Sequence, residues 1–378
     1  MLSRSARGGG NKLDGKVEVA SRDTDLSARL RDLVRQGGAK AIVGGAIACV
    51  VVGWLLTKAV GDFGQFVTVT LNGLTLAALF FVVASGFTLI FGLMRTINMA
   101  HGSLYLLGGY LAFEMQQSWF AEETGFQLTI GQGSDAEYGL FGWLVPLILA
   151  ALAMGVLGVI IYQVLLSWNQ GQELRQALIT IALVIILADQ MLAHFGGIAK
   201  DIKAPASWPT SVNLPLLDGS IGFFRLTIVL GSALLIGGLL WWMVKRTRFG
   251  LITRAGVDDR DMVSALGIKI PLVFAGAFFI GSFLAGFGGV LGGTMLSLQP
   301  GQDTAFLLNS LIVVIIGGMG SLAGAAVGAL ALGLVQAYAG AFLTFGGTDL
   351  TNYSILLTFG LVVAVLAVRP YGLFGRPA

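Results

Sequence analysis

Charge is what this sequence has least of. Asp, Glu, Lys and Arg make up 11% of its 378 residues, far below the roughly one quarter usual in soluble domains, and a soluble fold of this length would have nothing else with which to cover its surface. With 56% hydrophobic residues and a mean hydropathy of +0.84, the chain reads as a polytopic membrane protein. Cysteine is reduced to Cys49 inside an apolar run, which excludes a disulfide framework and a thiolate metal site. His101 and His194 are the two histidines, and neither stands in an HExxH or Cys/His metal spacing. No GxSxG elbow and no GxxxxGK phosphate loop followed by Ser or Thr occurs, so the sequence offers neither a nucleophile nor an ATP site of its own. Proline is sparse beside 55 glycines, which suits closely packed helices better than the alternating strands of a lipid-facing barrel.

What is present is a succession of apolar runs of about 20 residues, the length that crosses a bilayer. They fall near 41–60, 66–92, 97–118, 141–166, 177–196, 226–244, 272–298, 304–319, 321–343 and 352–368. The expected fold is all-α and polytopic, with about ten transmembrane or part-spanning helices and both termini on one side. Short cytoplasmic loops accumulate Lys and Arg. Here basic residues gather before residue 41, in segment 245–270 and at Arg369 and Arg376, whereas 119–140 and 299–303 hold Glu122, Glu123, Asp135, Glu137 and Asp303 without Lys or Arg. Both termini are therefore expected to be cytoplasmic. Residues 1–40 read as a basic tail in which 25–36 spaces Leu26, Leu30, Leu33 and Val34 as an amphipathic helix on the inner leaflet. Segment 41–60 reads as an extra N-terminal transmembrane helix rather than a signal peptide, and 66–378 as the main membrane domain.

Polar groups inside these runs stand out. In GLMRTINMAHGSLYLLGGY, at 92–110, Arg95, Asn98 and His101 lie between two spans, and GGMGS at 317–321 joins two more. Such short, glycine-rich interruptions suit broken helices whose free backbone groups meet a polar solute. Arg95 fits better as a side chain snorkelling to the cytoplasmic interface; Asn98 and His101 are either path-lining or internally partnered. Glu114 and Asp189 are the main acidic residues within or near the spans, and neither is placed as a proton carrier would be. Small residues four apart, Gly281, Ala285, Gly289 and Gly293, and again Gly320, Gly324 and Gly328, form packing stripes.

Segment 245–270 is the informative polar piece. Asp258 can cap a short helix carrying Asp259 and Asp261 in its first turn, Gly267 can end it, and Met262, Val263 and Leu266 share a face. A helix this short needs something to press against: either a cytoplasmic partner or the protein's own inner surface.

Segments 72–112, 248–268, 313–334 and 369–377 together resemble the permease subunits of branched-chain amino-acid ABC importers, and INMAHG with GGMGS is similar to the LivH type rather than its LivM sister. The likeness runs over about 66–378, with departures at Ser103, where many relatives carry Glu, and in the N-terminal extension. It implies a permease in the bacterial inner membrane that forms half of a translocation path for branched-chain or related amino acids, or small amide or carboxylate solutes. The implied partners are a LivM-type sister permease, two cytoplasmic ATPases that bind ATP and Mg, a periplasmic solute-binding protein, and membrane lipid; no cofactor in this chain and no nucleic acid are implied. Residues 254–267, with Arg254, Asp258, Asp259, Arg260, Leu266 and Gly267, would couple to an ATPase. Asn72, Asn98, His101, Tyr105, Gly317, Gly318 and Gly320 would shape the path or its gate. The outer segment 199–225, with Lys200, Lys203 and Arg225, is the expected docking surface for the binding protein. The rival reading, a stand-alone secondary transporter or channel, leaves the inner loop without a task.

Overall fold

The computed structural model describes residues 53, 57–58, 60–94, 98–120, 139–169, 171–205, 208, 212–213, 220–222, 224–258, 260–345, 348–349 and 353–375. The expected tail helix at 25–36 lies outside them, as does Arg95, and of the extra span expected at 41–60 only residues 53, 57–58 and 60 are described, each of them helical. Gly61–Ala378 forms one compact unit. Its helices are α1 (Phe63–Met94), α2 (His101–Phe120), α3 (Leu140–Ile161), α4 (Glu173–Phe195), α5 (Leu230–Arg246), α6 (Arg248–Asp258), α7 (Arg260–Ala265), α8 (Ile270–Met295), α9 (Gln302–Gly317), α10 (Leu322–Phe342) and α11 (Ser354–Val368). Two-residue antiparallel ladders pair Val212–Asn213 with Ser220–Ile221 and Thr344–Phe345 with Thr348–Asp349.

Among the described residues six helices are long and apolar enough to cross a membrane. Helices α9 and α11, with 16 and 15 residues, are shorter; at 1.5 Å per residue they reach about 24 and 22 Å against a hydrocarbon core of about 30 Å. The runs at 304–319 and 352–368 are thus part-spanning helices.

Helix α8 is the hub, packed against α1, α2 and α3, while α1 also lies along α10. Glycine makes this closeness feasible. A methyl group at Gly289 would strike the Tyr105 carbonyl, one at Gly281 would meet Ile90 and the carbonyl of Gly86, and one at Gly293 would meet Leu298 and Ile202. The second stripe acts likewise, Gly324 and Gly328 meeting the backbones of Gly317 and Val313. Without a hydrophobic drive inside lipid, such backbone proximity and the dispersion it brings hold helices together. Helix α4 packs mainly on α2 and the turns that follow α3, and much of its described surface, Asp189 included, is exposed.

Inner and outer ends, as the charge bias assigns them, are each tied by backbone bonds. At the inner end Leu373 and Phe374 donate to the carbonyls of Ile316 and Gly317 at 2.8 and 2.9 Å, hooking the C-terminal RPYGLFG onto the GGMGS turn. At the outer end Lys200 and Leu298 exchange backbone hydrogen bonds of 2.8 and 2.7 Å. The Gln116 side chain brackets Lys203, donating to its carbonyl and accepting from its N–H at 3.0 Å each.

Candidate translocation site

Asn98 leads through a turn at Met99 and Ala100 into α2. His101, the first residue of α2, places Nε2 3.0 Å from the Val83 carbonyl oxygen, and its ring meets Phe87 edge-on at 5.5 Å. Val83 lies about three turns before the end of α1, roughly 16 Å along its axis. Helix α2 therefore begins beside the middle of α1. From there it runs outward to Gln116, which also reaches the Gly142 carbonyl at the start of α3.

A second helix begins at a similar depth. In α9 Phe306 meets Phe80 of α1 edge-on at 5.8 Å and stacks on Tyr105 at 3.9 Å, while the carbonyl of Asp303 abuts Gly102, where a methyl group would collide with it. Gly301 enters α9 with φ of 89°, and Ser297 just before has φ of 63°, so the chain is bent sharply to start a helix there. Two helix N-termini, each the positive end of a helix dipole, thus converge inside the apolar domain.

The side chains at this junction are polar and buried. Asn98, His101, Ser103, Tyr105 and Asp303 are all buried. Asn98 Oδ1 accepts from the Ala100 N–H at 3.1 Å and the Thr180 hydroxyl accepts from the Met99 N–H at 3.2 Å. Asn98 Nδ2, His101 Nδ1, Ser103 Oγ, the Tyr105 hydroxyl and Gln302 Oε1 find no hydrogen-bond partner among the described residues. Buried polar atoms left open in this way carry a desolvation cost that a native fold seldom keeps without a use.

The expected path residues are only partly brought together. Asn98, His101 and Tyr105 share the junction. Asn72 is half-buried in the outer part of α1, where its carbonyl accepts from Thr75. Gly317, Gly318 and Gly320 sit at the inner end: Gly317 presses on Gly324, Gly318 with φ of 98° on Gly375, and Gly320 with φ of 80° on Gly92. Asp303 and Gln302 belong to the junction although QPGQD at 299–303 reads as an outer loop. The signal available was Pro and Gly ahead of an acidic first turn, which marks a helix start but not its depth.

Segment 245–270 holds more helix than a capped turn. Phe249, Ile252, Thr253 and Gly256 turn inward at i, i+3, i+4 and i+7 along α6, and α7 covers six residues. Val263 is buried, whereas Met262 and Leu266 are exposed, so the three do not share one environment. Gly267, with φ of 82°, ends the helix as only glycine does easily. Asp259 lies outside the described residues, as do the side chains of Arg254, Asp258, Arg260 and Arg225. On the outer side the Lys200 ammonium sits 4.9 Å from the Phe113 ring centroid and Lys203 is exposed.

Comparison with known proteins bears on all of this. LivH of Escherichia coli strain K12, a high-affinity branched-chain amino acid transport system permease protein, is 27% identical over 331 residues, covering 84% of this chain and 97% of that one. The corresponding BraD of Pseudomonas aeruginosa is 29% identical over 323 residues, 81% and 94% of the two chains. A probable LivH of Methanocaldococcus jannaschii is 23% identical over 301 residues, 78% and 88%. No solved structure matches the chain. The family described as branched-chain amino acid transport system permease component matches residues 69–366, and with the apolar helices around the junction this establishes that the chain belongs to that family, as a multi-pass inner-membrane permease subunit of an ABC importer.

Proposed function

We propose that this chain carries branched-chain or chemically related amino acids through the junction between α2 and α9, as one half of a path completed by a sister permease. The observation that carries the reading is the meeting of two helix starts over buried polar atoms with no partner among the described residues. Helix starts and interrupted backbone inside a membrane are where transporters bind solutes. A zwitterion suits this place: the positive helix ends favour its carboxylate, and the apolar rings of Phe80 and Phe306 accept an aliphatic side chain. The relatives named above are branched-chain amino acid permeases, which supports the same class of cargo.

Energy comes from outside the chain in this reading. Two cytoplasmic ATPases, holding ATP and Mg, seat on 254–267, where Met262 and Leu266 offer exposed apolar side chains, and a periplasmic binding protein delivers cargo to the outer face near 199–205. The test is purification of the complex from its native membrane in mild detergent, followed by reconstitution. Recovery of a second permease and two ATPases, with leucine uptake dependent on ATP and binding protein, is the expected result. Uptake by the chain alone in ATP-free liposomes would make it a stand-alone carrier instead.

A further inference from the structure

Helices α5 and α10 both pack on α1 and not closely on each other. Between them runs a groove of about 540 Å³, floored by Phe81 of α1 and walled by Leu234, Gly238 and Trp241 of α5 and by Ala326 and Leu330 of α10. Every residue that lines it is apolar or glycine, and none belongs to the junction of α2 and α9. A methyl group at Gly237 would touch the Phe81 ring, whereas one at Gly238 would meet nothing within 4 Å. Helix α5 is thus seated on α1 with open space beside it. Leu230, Leu234, Gly238 and Trp241 follow one another at spacings of four, four and three, which is one face of a helix. Lys245, four residues further, continues that face. Its ammonium lies 5.2 Å from the Trp241 ring centroid, close enough for the ring to hold it at the inner end of the groove. Arg246 and Arg248 follow; all three basic residues are exposed, and among the described residues no carboxylate pairs with any of them.

We propose that this groove is a binding site for an anionic phospholipid of the inner leaflet, with one acyl chain between α5 and α10 and the phosphate on Lys245. Shape argues for a chain. From Leu230 to Trp241 the groove follows α5 for about 16 Å, close to the depth of one leaflet of a hydrocarbon core about 30 Å thick. Spread over that length, its volume gives a mean section of about 34 Å², less than half that of a helix about 10 Å across. It therefore admits an acyl chain and not a helix of another subunit. Charge argues for the head group. Lipid tails are as apolar as leucine, so the groove by itself does not select among lipids. An ammonium presents three donors and no acceptor, which a phosphate satisfies, and basic pockets between helices on the cytoplasmic side suit anionic head groups. A zwitterionic lipid would bring a second cation beside Lys245, Arg246 and Arg248. Snorkelling to the interface accounts for Lys245 alone, but not for the open groove on the same helical face.

The experiment titrates the full chain in mild detergent with palmitoyl-oleoyl phosphatidylglycerol, or with phosphatidylcholine of the same chains, and counts bound lipid by native mass spectrometry. Wild type is expected to hold one phosphatidylglycerol at least about fivefold more tightly than phosphatidylcholine. Lys245→Gln should weaken phosphatidylglycerol about fivefold, the weight of one base at a membrane surface, and leave phosphatidylcholine unchanged. Gly238→Leu, which extends a side chain into the open space, should weaken both lipids. Arg246→Gln, off the groove face, should cost phosphatidylglycerol less than Lys245→Gln does. Equal affinity of wild type for the two lipids overturns the site. So does an equal loss in the Lys245 and Arg246 variants, which would describe a diffuse basic surface, or wild-type binding by Gly238→Leu. A second measurement needs no variant: phosphatidylglycerol bearing a diazirine on its acyl chain is photolysed with the whole permease–ATPase complex from its native membrane. Label is expected in peptides covering 230–241 and 322–330. Label there in the isolated chain but not in the complex would show that another subunit covers the groove, and would overturn the proposal.

Discussion

His101 Nε2 stands 3.0 Å from the carbonyl oxygen of Val83, and this contact anchors the start of α2 beside the middle of α1. A hydrogen bond between membrane helices contributes about 0.6 kcal/mol on average and up to about 1.7, and a fully buried ring adds packing that alanine cannot replace. His101→Ala should therefore lower the unfolding temperature in detergent and reduce uptake, while His101→Gln, which can still donate, should retain more of both. Uptake and unfolding temperature unchanged in His101→Ala would mean that the contact does not position α2.

The crossing of α2 over α8 depends on a missing side chain. A Cβ at Gly289 would collide with the backbone carbonyl of Tyr105, whereas one at Gly340 of α10 would meet nothing. Gly289→Ala is expected to destabilise by about 1–3 kcal/mol, as overpacking does. Gly340→Ala should be neutral or gain about 0.5–1 kcal/mol from helix propensity. Thermal unfolding of the two variants side by side checks the contrast, and equal effects would show that α2 shifts freely on α8.

Some of this architecture is legible in the sequence because burial and lipid exposure both select apolar residues. The runs at 141–166 and 272–298 find α3, with its continuation through Tyr162–Leu166, and α8 to within a few residues. The glycine stripe around Gly289 is legible too, since spacing of four fixes a helical face. Depth is not legible. An apolar helix has the same composition whether it starts at the interface or halfway across, so the span at 97–118 gave no sign that His101 lies against Val83. Asp303 was hidden by its neighbours, because Pro300 and Gly301 signal a turn and turns ordinarily lie at the surface. Helix α6 escaped because its charges interrupt an apolar count, although Phe249 and Gly256 mark one inward face.

The outer segment is tied to α2 through Gln116. Gln116 is buried, and its amide bonds both the N–H and the C=O of Lys203. Gln116→Leu keeps the bulk and leaves those two backbone groups without that partner, at a cost of about 1–3 kcal/mol each if they remain dry. Hydrogen exchange of the amides at 200–203 should accelerate in the variant while the amides of α8 keep their protection. Unchanged exchange at Lys203 would show that contacts other than Gln116, such as the ladder with Leu298 and the Ile202 N–H bond to the Gly293 carbonyl, hold the segment.

Helix α7 and the turn after it divide their apolar residues between two surfaces, with Val263 buried and Met262 and Leu266 exposed. If the exposed pair seats an ATPase, a charge there breaks the complex without disturbing the permease, because solvent-facing substitutions change stability by about 0.5 kcal/mol or less. Leu266→Asp is thus expected to abolish ATPase co-purification at an unaltered unfolding temperature. Val263→Ala should do the reverse, costing about 1–2 kcal/mol through the cavity it leaves while ATPases are still recovered from whatever permease folds. Quantifying the ATPase-to-permease ratio beside the unfolding temperature of each variant separates the two surfaces. A wild-type ratio in Leu266→Asp would leave α7 as an internal prop, and would move the seat of the ATPase to another inner surface such as the cleft between Gln163 and Lys269.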